Sequence, residues 1–165
     1  LDEEGWLHTG DVGEIRKERF LCITDRKKEI FKTSGGKYVA PQAMENKFKE
    51  SIFVEQVMVL GEGRKHPAAL IVPSWESLQK WLADHELKAQ SLADAVALPE
   101  VNKLLEEEVQ RLNQSFGQWE QVKKFKLLPQ EWTIDGGELT PTLKLKRKPI
   151  LARYHGEIEA LYDEA

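Results

Sequence analysis

Val57-Met58-Val59-Leu60-Gly61-Glu62-Gly63-Arg64-Lys65-His66-Pro67-Ala68-Ala69-Leu70-Ile71-Val72 decides the fold. Two near-continuous apolar runs, 57–60 and 68–72, flank a short stretch with two glycines and a proline. Runs of this kind suit strands covered on both faces. The short Gly61–Pro67 connection predicts that they pair antiparallel and form the centre of a sheet. The flanking segments read as the covering layers. Pro41 pre-sets a helix start, and Met44 with Phe48 supplies an i, i+4 apolar face. Trp75, Leu78 and Leu82 mark a second helix. Val101, Leu104, Leu105, Val109, Leu112 and Phe116 mark a longer one, ended by Gly117. Val122 to Leu128 reads as a strand closed by Pro129, and Pro149 starts a last helix with Leu151, Tyr154, Ile158 and Leu161 on its face. The expected class is α+β: a small mixed sheet with helices on its faces.

Two hairpins precede this core. Residues 12–16 and 20–24 read as strands turning at Lys17-Glu18-Arg19, and a lone hairpin of that size is marginal in water. Residues 29–32 and 37–40 flank Thr33-Ser34-Gly35-Gly36, whose glycines permit positive φ. Between them Asp25-Arg26-Lys27-Lys28 is charged and free of apolar residues, the candidate boundary.

The chain has 165 residues, 41% apolar and 32% charged, which fits one domain or one domain plus an appendage. It begins without Met and in the middle of a motif, so it reads as a piece of a longer protein. No apolar run approaches the ~20 residues that span a bilayer, and Leu1–Gly5 cannot open a signal peptide. A single cysteine, Cys22, excludes an internal disulfide and fits a reducing cytoplasm; between Leu21 and Ile23 it reads as a buried core thiol. Four scattered histidines and no second cysteine give no reason to expect a protein-made metal site. The net charge is −4, unevenly placed. Residues 23–37 carry five cations against Asp25 and Glu29, and residues 138–148 carry four against Glu138, leaving −10 elsewhere. Two basic islands on an acidic body suit small phosphorylated ligands, not a nucleic-acid track.

The second island follows Asp135-Gly136-Gly137, read as a flexible turn, and a Thr/Pro-stiffened loop that ends in Lys144. A compact ammonium there suits delivering positive charge to a phosphate. Three segments now align in one order: Gly5-Trp6-Leu7-His8-Thr9-Gly10-Asp11-Val12-Gly13; Asp25-Arg26-Lys27-Lys28-Glu29 through Gly35-Gly36-Lys37-Tyr38-Val39-Ala40-Pro41; and Leu139-Thr140-Pro141-Thr142-Leu143-Lys144. Together they resemble the carboxyl-terminal portion of the adenylate-forming enzymes, the superfamily of acyl-CoA synthetases, luciferases and peptide-synthetase adenylation domains. Most members place Ser-Gly-Lys where this chain has Thr142-Leu143-Lys144, and many place Gly-Glu at Gly36-Lys37. Both departures are similar to the long-chain fatty acyl-CoA synthetase branch.

The resemblance implies two half-reactions: a carboxylate attacks the α-phosphorus of ATP, then a thiol displaces AMP. It implies that Lys144 is the adenylation lysine, with Lys146 and Arg147 in surface or helix-start roles. Asp11 accepts hydrogen bonds from the two ribose hydroxyls of ATP or AMP, and Arg26 lies near the same ribose. Lys28 is the hinge position. Gly35 and Gly36 line the CoA pantetheine channel, with Lys32 and Lys37 as candidate contacts for CoA phosphates. Taken alone, Gly35-Gly36 reads first as an ordinary hairpin turn; Lys28 is equally an exposed lysine, Lys32 and Lys37 a solvated face, and the alternative for Asp11 is a turn aspartate after Gly10. Residues 1–25 are then the end of a large amino-terminal domain lying upstream, 26–28 the hinge, and 29–165 a small mobile domain. Trp6 packs on the missing domain, and the other tryptophans cover the core. The expected ligands are fatty acid, ATP and CoA, with Mg²⁺ held by the nucleotide's phosphates and the upstream domain. The expected location is cytoplasmic, with association at a membrane surface left open. An aryl-CoA ligase or adenylation domain, or a non-catalytic polyanion-binding module, remain alternatives.

Overall fold

The computed structural model describes residues 2–27 and 29–163, with residues 24–26 followed as backbone. The two apolar runs form β5 (Val54–Leu60) and β6 (Ala68–Pro73), paired antiparallel with Val59 opposite Ala69, as their spacing predicts. Upstream lie the hairpins β1 (Asp11–Arg16)–β2 (Phe20–Arg26) and β3 (Phe31–Lys32)–β4 (Tyr38–Val39), each a separate two-stranded sheet. A third strand, β7 (Lys124–Leu127), joins β6 in parallel, so the core sheet runs β5-β6-β7 and is mixed.

Alternation along β5 and β6 sends successive side chains to opposite faces, and each face has its own layer. Val57, Val59, Ala69 and Ile71 pack with Phe31, Val39 and helices α1 (Pro41–Phe48), α2 (Trp75–Asp84), α3 (Leu92–Ala97) and α4 (Pro99–Asn113). Met58, Leu60, Leu70 and Val72 pack with Trp132, Leu139 and helices α5 (Arg147–Arg153) and α6 (His155–Tyr162). The glycine-bearing hairpin therefore rides on one face of the sheet, and the chain leading into Lys144 rides on the other.

Several boundaries differ from the sequence reading. The long helix stops at Asn113, short of Phe116, because the buried Asn113 side chain turns the chain back. Its Nδ2 donates to the Val122 carbonyl (2.8 Å), and its Oδ1 accepts from the Val122 N–H (3.0 Å). The last helix starts at Arg147, not Pro149, and breaks at Tyr154 into two. That break puts Ile150 in the core and leaves Leu151 39% exposed. Helix α3, capped by the Ser91 hydroxyl, was not anticipated. Cys22 is half-buried on the first hairpin, where β2 meets α1, and belongs to neither core layer. Trp119 is exposed, whereas Trp132 is buried.

Candidate functional site

Lys144 stands at the end of a tight turn. The Leu143 N–H donates to the Thr140 carbonyl (2.8 Å), and the Thr140 N–H donates to the Lys144 carbonyl (2.8 Å). The Thr140 hydroxyl closes the frame by accepting from the Lys144 N–H (3.0 Å). Pro141 suits the first corner, since its fixed φ matches that position. The chain can return only if the third loop residue is left-handed. Leu143 takes that conformation at φ +59°, a residue type that seldom does. Leu143 and Lys144 are both exposed, and the Lys144 ammonium makes no hydrogen bond or ion pair among the described residues. The stretch before it, read as flexible, is hydrogen-bonded: Gly137 N–H to the Ile134 carbonyl (3.1 Å), and Gly136 N–H to the Thr133 hydroxyl (2.8 Å). A side chain at Gly136 would overlap the Glu138 carboxylate, which explains the glycine.

The glycine hairpin repeats the three bonds of the Thr140–Lys144 turn. The Gly36 N–H donates to the Thr33 carbonyl (2.9 Å), the Thr33 N–H to the Lys37 carbonyl (2.9 Å), and the Lys37 N–H to the Thr33 hydroxyl (3.2 Å). Gly36 occupies the left-handed position at φ +80°. Thus Thr33-Ser34-Gly35-Gly36-Lys37 and Thr140-Pro141-Thr142-Leu143-Lys144 are the same turn, each ending on a lysine. The shared signal, threonine four residues before lysine, was visible in the sequence and passed over. The lysines differ in surroundings. Lys37 Nζ lies 5.4 Å from the centroid of Trp119 and Lys32 Nζ 5.5 Å from that of Tyr38, both cation–π contacts.

The first hairpin brings together two residues fifteen apart in sequence: its register places Asp11 opposite Arg26. Gly10 at φ +78° turns the chain into β1, and the Asp11 N–H donates to the Thr9 hydroxyl (3.2 Å). The side chain of Arg26, and Lys28 altogether, lie outside the described residues.

Two buried carboxylates hold the Lys144 turn at its ends; sequence reasoning counted Glu138 only as a charge and did not name Glu45. Glu138, 1% exposed, accepts from Arg153 and from the Thr133 N–H (3.2 Å). Burial pushes its carboxyl up. Hydrogen bonds from the Thr133 and Glu138 N–H groups and from Arg153 outweigh that and hold it below the usual glutamate range. Beyond the turn, Arg147 bonds Glu45 (2.6 Å) and the Val59 carbonyl, and Glu45 also accepts from the Val59 N–H (2.8 Å). Burial dominates at Glu45 and raises its carboxyl despite Arg147. Arg147 begins α5, one of the two roles expected for it, but its guanidinium is not a free surface cation; it is inserted between α1 and β5. A groove of about 630 Å³, floored by Phe31, Leu60 and Ile158, runs between the bases of the two lysine turns, with Leu145 and Arg147 on its wall. Among the described residues no cluster of His, Cys, Asp and Glu could hold a metal ion, and no helix is long and apolar enough to cross a membrane.

Residues 28–165 match the family described as the AMP-binding enzyme C-terminal domain, and the chain belongs to that family. Its homologues are long-chain fatty acyl-CoA ligases. Over 162 residues it is 36% identical to long-chain-fatty-acid–CoA ligase FadD15 of Mycobacterium tuberculosis, covering 98% of this chain and 27% of that one. Over 165 residues it is 39% identical to human long-chain-fatty-acid–CoA ligase 1, covering 98% and 24%. Among solved structures, the A-PCP didomain of carboxylic acid reductase from Segniliparus rugosus, in complex with AMP, superposes with a TM-score of 0.75 at 30% identity, covering 99% of this chain and 21% of that one. The chain thus spans about a quarter of the length of these relatives.

Proposed function

We propose that this chain is the carboxyl-terminal part of an ATP-dependent, AMP-forming long-chain fatty acid–CoA ligase. In this reading residues 1–25 close the preceding large domain, 26–28 are the hinge, and 29–165 form the small mobile domain. The observation that carries it is the Thr140–Lys144 turn. Of the cations in its basic run, Arg147 is consumed by its pair with Glu45, while Lys144 is projected on a hydrogen-bonded frame and its ammonium has no hydrogen bond or ion pair among the described residues.

In the first half-reaction a carboxylate oxygen bonds to the α-phosphorus of ATP, and the bond from that phosphorus to the pyrophosphate oxygen breaks. Two anions must meet, and Lys144 supplies the positive charge between them as charge builds in the transition state. Asp11 accepts from the ribose hydroxyls, a task for which two carboxylate oxygens suit two donors, with Arg26 beside it across the hairpin. In the second half-reaction the CoA thiol attacks the acyl carbon and AMP leaves. The Gly35-Gly36 turn borders the approach of the pantetheine arm, and Lys37 meets a CoA phosphate. The opposite placement of the two lysine turns on the core sheet supports this division, since one domain offers a different face to each step. The donor set here does not fit a resident magnesium ion, so Mg²⁺ arrives with the nucleotide's phosphates and no step passes through a metal held by this chain.

The test separates the halves. In the full-length ligase, Lys144→Ala lowers acyl-adenylate formation by ~10²–10³-fold, the scale for losing one preorganised electrostatic group. It still converts supplied acyl-adenylate and CoA at near the wild-type rate. Equal damage to both halves, or normal adenylation, contradicts the assignment.

A further inference from the structure

We infer that the buried Arg147–Glu45 pair is the positioning device that sets the reach and direction of Lys144, an inference that rests on the ligase reading above. Strand β5 is an edge strand of the core sheet, so the Val59 N–H and carbonyl that face away from β6 need partners. Glu45 accepts from that N–H at 2.8 Å, Arg147 donates to that carbonyl, and the two side chains bond each other at 2.6 Å. The pair therefore stands where a neighbouring strand's peptide group would. It joins α1, on one face of the sheet, to α5, on the other, around the open edge.

Only Leu145 and Lys146 separate this anchor from Lys144, and neither is slack. Leu145 is bridged to Leu139, and the Lys146 N–H donates to the Glu138 carbonyl at 2.7 Å. The guanidinium is thus the nearest polar side-chain anchor downstream of the exposed ammonium. Its planar fork fixes an angle as well as a distance, which a lysine or an apolar side chain cannot do. Partnering Val59 calls for an acceptor and a donor, which uncharged side chains also supply without desolvating two charges. A need for defined direction accounts for the ion pair.

The experiment uses the full-length ligase and follows the half-reactions separately. Arg147→Lys and Arg147→Met lower kcat for acyl-adenylate formation by ~10-fold or more, the scale on which small misplacements of a catalytic group act. The KM for ATP and the conversion of supplied acyl-adenylate to thioester stay within about twofold of wild type. The double variant Glu45→Gln/Arg147→Gln keeps an acceptor and a donor for Val59 without the charges, and it holds the unfolding midpoint near wild type yet stays slow in adenylation. Wild-type adenylation by that double variant, a rise in KM alone, or equal slowing of both halves by the Arg147 variants overturns the positioning role. A wild-type protein inert in both halves refutes the ligase reading instead.

Discussion

Leu143 and Gly36 occupy one conformation in two copies of one turn, and each informs a test of the other. A left-handed non-glycine residue costs about 1 kcal/mol or more. Leu143 meets that cost while 68% exposed, so no burial compensates it. Leu143→Gly removes the strain but frees the unfolded chain by a similar amount. Its unfolding free energy should stay within about 0.5 kcal/mol of wild type. A β-branched residue fits the left-handed region worse, so Leu143→Ile should lose about 1–2 kcal/mol in denaturant titration. The reciprocal change is Gly36→Leu. A Cβ at Gly36 meets only the Lys32 Cε, at 3.6 Å, and the other turn already carries leucine there. The variant should therefore fold, at a cost of about 1 kcal/mol. In the full-length ligase it should form acyl-adenylate normally and accumulate it before thioester release. Loss of adenylation with the fold intact would remove Gly36 from the pantetheine approach.

At the scale of elements, the hairpin carrying Lys144 is fastened by carboxylates that titrate in opposite senses. Glu138 binds its proton less readily when folded than when unfolded. Its contribution is complete above the ordinary glutamate range and is lost as pH falls through its lowered folded value. Glu45 binds its proton more readily when folded, so its burial weakens the fold above the ordinary range and that penalty fades in acid. Glu138→Gln should therefore cost about 3 kcal/mol at neutral pH and less at an acidic pH below the ordinary glutamate range, where the advantage of the ionised carboxylate is being lost. Urea titrations at the two pH values check this; an equal cost at both removes the ionised Glu138–Arg153 contact as the fastening. These elements also show what the sequence made legible. The apolar runs of β5 and β6 announced themselves because both faces are covered. The burial of Arg147 did not, since nothing in Lys144–Lys148 distinguishes a guanidinium that will meet Glu45, about a hundred residues away. The end of α4 was hidden for a like reason, because Asn113 caps through Val122 and not through its own helix. Threonine caps at Thr33 and Thr140 were legible as a spacing, but their meaning lay in the backbone bonds they complete.

For the molecule as a whole, apolar burial is divided unequally. The sheet has two covered faces, whereas Trp6, Leu7, Ile15, Phe20, Leu21 and Ile23 of the first hairpin are each more than half exposed. Local stability follows buried contacts, so amide exchange of the isolated chain should be fastest across residues 2–26 and slowest in β5 and β6. Protection of the hairpin equal to that of β6 would show that it belongs to the small domain's cooperative unit and move the proposed boundary upstream. The twin turns carry a different consequence. Because Thr33–Lys37 and Thr140–Lys144 share three framing bonds, the two pentapeptides should be exchangeable. Thr-Ser-Gly-Gly-Lys written in place of Thr-Pro-Thr-Leu-Lys should leave the lysine emerging where it does. The variety seen at the left-handed position is then a matter of what side chain the tip displays, leucine or nothing, and a designer may change the display while leaving the tool in its handle.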